Sequence, residues 1–97
     1  MVNCKISEGW LECSFPARLD TPTCIKWEDS LFGRINDEKL PVVFNMEGVV
    51  YISSTFLRIC LQLAQKLGRE GFKATNISQE VRKIFEIAGF GSVVGIE

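Results

Sequence analysis

The chain has 97 residues, with 11 Lys and Arg against 12 Asp and Glu for a net charge of −1; this is the size and balance of one globular domain, residues 1–97, and not two. Near-neutral charge gives no electrostatic footprint for nucleic acid, which normally needs a basic face, and the longest apolar run, Leu40 to Phe44, is far short of the roughly 20 residues that span a bilayer. The sequence contains no His, which removes the commonest general base and the usual transition-metal ligand together.

Along the chain, Leu11, Cys13 and Phe15 alternate with polar Glu12 and Ser14, the period of a half-buried strand. Glu8-Gly9 is a two-residue turn joining it to a first strand over Asn3 to Ser7. Pro16 stops the second strand. Leu19-Asp20-Thr21-Pro22 opens a helix, with Asp20 or Thr21 as cap and Pro22 at the first helical position. This helix is predicted to run to about Ile35, burying Ile25, Leu31, Phe32 and Ile35 with Trp27 alongside. Asn36 to Lys39 reads as a polar connection before Pro41. Val42-Val43-Phe44 is a continuous apolar run, the signature of a central parallel strand covered on both faces.

A second apolar burst, Val49 to Ile52, leads into Ser53, Ser54 and Thr55, which begin a mostly buried helix. Its apolar positions are Phe56, Leu57, Ile59, Cys60, Leu61, Leu63, Ala64 and Leu67, against a narrow polar stripe of Arg58, Gln62, Gln65, Lys66 and Arg69. Gly68 and Gly71 are candidate left-handed stops, and residues 72–76 form a short strand. Ser78 caps a last helix with Val81, Ile84, Phe85 and Ala88 on its buried face, ended by Gly89 and Gly91. Ser92 to Ile96 is a final short strand. The order β-β-α-β-α-β-α-β implies βαβ crossovers and a largely parallel or mixed sheet. Function in such a sheet is expected where strand ends meet helix N-termini.

Few residue groups can carry chemistry. Cys4, Cys13, Cys24 and Cys60 form no C-x-x-C pair and read as reduced, buried small hydrophobes, with neither a zinc site nor a disulfide framework indicated. The opening Met1-Val2-Asn3-Cys4 lacks the basic and apolar blocks of a signal peptide, so export is not indicated and a cytoplasmic protein is expected. Gly89-Phe90-Gly91 lacks the third glycine of a dinucleotide cradle and falls at a helix end. No metal or cofactor is expected, and a serine nucleophile has no histidine to activate it. Ser53-Ser54-Thr55 is the group with unusual potential. One hydroxyl there can simply cap the helix; alternatively, a surface hydroxyl beside the positive dipole end can accept a phosphate.

From Ala17 to about Gly89 the chain resembles a STAS domain of the bacterial anti-sigma factor antagonists, also called anti-anti-sigma factors. Leu19-Asp20 with Thr23 and small Cys24 resembles the family's Gly-x-Leu-Asp-x-x-Thr-Ala loop. Val42 to Val49 resembles its central strand and Gly-Val step. Tyr51-Ile52-Ser53-Ser54-Thr55-Phe56-Leu57 resembles the phosphorylation segment Phe-Ile-Asp-Ser-Ser-Gly-Leu, and Asn76-Ile77-Ser78 with Val81, Phe85 and Ala88-Gly89-Phe90 resembles the helix that follows. Ser53 replaces the family's Asp, Phe56 its Gly, and Ala17-Arg18 its Gly-Glu. The resemblance implies a STAS-like α/β fold, a mixed sheet of about four to five strands with about three helices, here without the family's C-terminal helix. It implies a non-enzymatic interaction module whose partner is an anti-sigma factor serine kinase of the histidine-kinase-like ATPase fold. Ser54 matches the phosphoacceptor, and Asp20, Ser53 and Thr55 lie near the partner contact; Arg58, one turn further on and facing solvent, joins them by periodicity. The alternative is an unphosphorylated STAS-like accessory subunit of a transporter or another ATPase complex.

Overall fold

Glu8 and Gly9 both take positive φ, 53° and 83°, the pairing that lets a two-residue turn follow the right-handed twist of its strands. They join β1 (Asn3–Ser7) to β2 (Trp10–Ser14) as an antiparallel hairpin closed by Ser7 opposite Trp10. The computed structural model describes residues 2–68, 70–89 and 95–96. Within them follow β3 (Arg18–Leu19), α1 (Thr21–Glu38), β4 (Val42–Asn45), β5 (Tyr51–Ile52), α2 (Ser54–Leu67), β6 (Phe72–Thr75), α3 (Gln79–Ile87) and β7 (Gly95–Ile96).

The main sheet has the order β1-β2-β4-β6-β7, with β1 antiparallel and every later pair parallel. β4 lies in the middle, as its apolar run requires. Leu11, Cys13, Val42, Phe44, Phe72 and Ala74 project to one face and join a single buried cluster with Cys24, Trp27, Leu31 and Ile35 of α1, Phe56, Ile59, Cys60 and Leu63 of α2, and Val81 and Phe85 of α3. The helices thus cover one face of the sheet. Val43 points the other way and is buried outside that cluster, beside Glu12 and Lys73 in the register.

Several sequence expectations change. β3 and β5 form a separate two-stranded parallel sheet, Arg18 opposite Tyr51 and Leu19 opposite Ile52; two residues are too few to show a period. α1 does not stop at Ile35 but runs to Glu38, held by an Arg34–Glu38 pair at 2.8 Å one turn apart and closed by left-handed Lys39, whose N–H donates to the Ile35 carbonyl at 3.2 Å. Ile25 is 64% exposed, because the buried stripe runs through Cys24, Trp27, Leu31 and Ile35. Ala88 is the exposed cap of α3 instead of its last core contact. Gly68 does end α2 with a positive φ of 75°, but its ψ of 175° is an extended glycine conformation and not the left-handed stop expected. Gly71 is needed for a different reason: a Cβ there would sit 2.5 Å from the Leu67 carbonyl oxygen. Arg69, Phe90, Gly91 and Ser92 to Val94 lie outside the described residues, so of the strand expected over Ser92 to Ile96 only β7 is described.

Candidate functional site

β3 and β5 are parallel and in register, and each feeds directly into a helix. The residues next in line, Asp20 and Ser53, therefore emerge together, and α1 and α2 start side by side at one end of the molecule. The junction is tied by the Ser53 N–H donating to the Leu19 carbonyl at 2.9 Å and the Val50 N–H to the Ala17 carbonyl at 2.8 Å.

Both junction residues are caps with extended backbone. Asp20 Oδ1 accepts the Thr23 N–H at 3.0 Å, satisfying one orphan donor of α1, and this bond holds the Asp20 carboxyl below its ordinary range. Pro22 sits inside the first turn, where its missing N–H leaves nothing unpaired. Ser53 Oγ accepts the Phe56 N–H at 3.3 Å. At 6% exposure, Ser53 is the only polar residue in the core of the described chain. The Cys24 thiol lies 4.0 Å from Ser53 Oγ, and burial pushes that thiol up.

The three hydroxyls thus have separate placements. Ser53 is the cap beneath the surface, Ser54 is exposed as the first residue of α2, and Thr55 is half-buried with its Oγ1 3.0 Å from Thr21 Oγ1 of α1. One turn beyond Ser54, Arg58 makes a two-pronged contact with Glu28 of α1, both N–O distances 3.0 Å. Its guanidinium draws the Glu28 carboxyl below the ordinary range. Thr21, Ile25 and Glu28 are spaced i, i+4, i+7, so they share one face of α1. Ile25 therefore lies between the two polar bridges that link the helices, its side chain open to solvent. Val50, 62% exposed, and Tyr51, with the Arg18 guanidinium 4.8 Å above its ring, extend apolar surface behind the junction.

All five residues singled out in the sequence, Asp20, Ser53, Ser54, Thr55 and Arg58, gather at this end. Thr21, Ile25 and Glu28 were missed; the signal available was the regular stripe of Cys24, Trp27, Leu31 and Ile35, which leaves Ile25 out of phase with the core. Phe56, where the family has Gly, is fully buried, its ring centroid 5.4 Å from Phe15, 5.7 Å from Phe44 and 6.5 Å from Trp27. It turns inward beneath the site, so its bulk does not crowd the surface around Ser54. Among the described residues no group of three His, Cys, Asp or Glu side chains is placed to hold a metal ion, and no helix is long and apolar enough to cross a membrane.

Two parallel strand-to-helix junctions beside a mixed sheet define a class of fold. The STAS domain family model matches residues 2–97, and the chain belongs to that family. Among solved structures, an anti-sigma factor antagonist from Mycobacterium paratuberculosis superposes with a TM-score of 0.86 at 20% identity, covering 99% of this chain and 83% of that one. A STAS domain protein from Planctomyces limnophilus gives 0.85 at 16%, covering 98% and 87%. The Bacillus cell-fate determinant SpoIIAA in its phosphorylated form gives 0.72 at 16%, covering 100% and 91%. At these identities the likeness establishes the fold. No curated protein matches the chain by sequence.

Proposed function

We propose that this chain is a protein-docking module of the anti-sigma factor antagonist type. Its partner is an anti-sigma factor serine kinase with the histidine-kinase-like ATPase fold, and phosphate on Ser54 switches the contact off. The observation that carries the reading is the division of labour at the head of α2: Ser53 is buried as the cap while Ser54 stands exposed beside it. A hydroxyl in that position can enter a kinase site without the helix losing its cap.

The docking face comprises Asp20, Thr55 and Arg58 around Ser54, with Ile25 as its apolar element and Ser53 shaping it from below. A phosphate on Ser54 adds a charge of about −1.5 to −2. It sits near the positive end of α2, which stabilises it locally. Ser54 and Arg58 are one helical turn apart, so the phosphate competes with Glu28 for the guanidinium. The modified surface is then more acidic and less able to pack against a partner's carboxylates.

The test is intact-mass analysis of the full chain after incubation with a kinase-type anti-sigma factor and ATP. One phosphate mapping to Ser54, its loss in Ser54→Ala, and weaker binding of the modified chain are expected. Phosphate at another residue, or none with a demonstrably active kinase, overturns the assignment. A second reading, an unphosphorylated accessory subunit of a transporter ATPase complex, draws on Ser53 and Phe56 standing where the family has Asp and Gly beside the acceptor. Affinity capture recovering transporter ATPase subunits and no sigma regulators selects it.

A further inference from the structure

We propose that Cys4 and Cys13 are a redox-active pair that closes to a reversible disulfide and staples β1 to β2. The two residues are direct partners in the hairpin register, and their sulfurs are 3.4 Å apart. The Leu11 N–H is directed away from β1, to the Pro41 carbonyl at 2.8 Å. Backbone groups alternate sides along a strand, so Cys13, two residues on, also turns its N–H and carbonyl toward β4. Cys4 and Cys13 therefore face each other as a non-hydrogen-bonded pair, the kind in which opposed side chains come closest. A disulfide needs Cα atoms roughly 4.4–6.8 Å apart and sulfurs at about 2.05 Å, which side-chain rotation at this site can supply without moving the strands.

The two thiols have different exposure. Cys13 is fully buried, and burial, with Cys4 beside it, pushes its thiol up. Cys4 is half-buried and opens on a cavity of about 260 Å³ between β1 and α1, lined also by Val2, Trp27, Ser30, Leu31 and Arg34. The cavity gives a small oxidant a path to Cys4 and leaves Cys13 behind it as the resolving thiol. With hydrogen peroxide the Cys4 sulfur attacks one oxygen, the O–O bond breaks, and the departing hydroxide takes the thiol proton as water, leaving a sulfenic acid. The Cys13 sulfur then attacks Cys4 sulfur, the S–S bond forms as S–O breaks, and the second hydroxide leaves as water with the Cys13 proton. Two thiols and one peroxide become one disulfide and two waters, and a dithiol reductant reverses the change. Cys24 and Cys60, both fully buried, serve as internal controls.

The full chain is treated with hydrogen peroxide, denatured, alkylated and digested with trypsin without reductant. Cleavage after Lys5 and Arg18 leaves residues 1–5 and 6–18 joined only if Cys4 is bonded to Cys13. Expected are a joined species lighter by two hydrogens that dithiothreitol separates, loss of two of the 4 titratable thiols, and no loss from the three thiols that remain in Cys4→Ser. Cys4 ending as sulfinic acid with Cys13 free, a Cys4–Cys4 bond between two chains, or no loss of thiol overturns the proposal. The thiol count on the unmutated protein decides the matter even if a variant folds poorly.

Discussion

Ser53 and Ser54 are adjacent, chemically identical and assigned opposite duties, so replacing each by Ala separates capping from surface chemistry. In Ser53→Ala the Phe56 N–H loses the acceptor now 3.3 Å away, in a place that water does not reach. Losing a serine N-cap costs about 0.5–2 kcal/mol, and an unsatisfied buried donor places this site in the upper half, about 1–2 kcal/mol. For a domain of this length each kcal/mol lowers the midpoint by about 4–8 °C, so Ser53→Ala is expected to melt roughly 4–16 °C lower. Ser54→Ala removes an exposed hydroxyl from a helical position where Ala is favoured, and is expected within about 0.5 kcal/mol of the parent. Thermal and urea unfolding followed by far-ultraviolet circular dichroism measure both, with Ser53→Thr, which keeps an acceptor oxygen, expected to recover most of the loss. Equal destabilisation by the two alanines, or none from Ser53→Ala, would show that the cap is not Ser53 and would remove the basis for treating Ser54 as free to be modified.

Three further outcomes follow from the same packing. Asp20 has a lowered pKa because its carboxylate accepts the Thr23 N–H; its contribution is present above the unfolded-chain value and is lost as pH falls through the lower folded value. Asp20→Asn keeps an acceptor for the cap but cannot titrate, so its stability should fall less steeply below about pH 4 in acid titrations, and an unchanged slope would count against the assignment. Phe56→Ala empties the centre of the Phe15, Trp27 and Phe44 cluster and is expected to cost about 3–5 kcal/mol in urea unfolding; a loss under about 1 kcal/mol would mean the ring is not core. Trp27 Nε1 is buried without an acceptor among the described residues, so Trp27→Phe sheds an unsatisfied donor as well as contact area. Its net cost is expected below about 1.5 kcal/mol, and a loss as large as that of Phe56→Ala would indicate that the indole N–H is satisfied in solution.

What the sequence discloses here is whatever local chemistry decides. Glu8-Gly9 announces its hairpin because positive φ is demanded at two consecutive positions. Asp20, Ser53 and Ser78 announce helix starts because each accepts an N–H from three residues on. β3 and β5 leave no such trace; each is two residues long and exists because the other lies beside it. The extension of α1 past Ile35 rests partly on the Arg34–Glu38 pair, which composition alone shows only as polar sequence. At the site the hydroxyl triplet was legible and its internal division was not. That division follows from the phase of α2, set by Phe56, Ile59, Cys60 and Leu63 entering the core. The Thr21–Thr55 and Glu28–Arg58 bridges join residues more than thirty positions apart or close to it, and only the parallel junction brings them together.

Among the described residues the β1–β2 hairpin is the one strand pair joined by a turn; the parallel pairs in both sheets must wait for a helix or long connection to return. Hairpins close in about 1–10 μs, whereas non-local pairing carries the loop-closure entropy that slows folding. During synthesis residues 3–14 therefore emerge able to find their register before Val42 has emerged to receive them. The register that places Cys4 opposite Cys13 belongs to that hairpin alone, so it can form when no helix covers either thiol. An oxidant present then has access to both sulfurs, and Cys60, which follows Val42 in the chain, is not yet there to mispair with them.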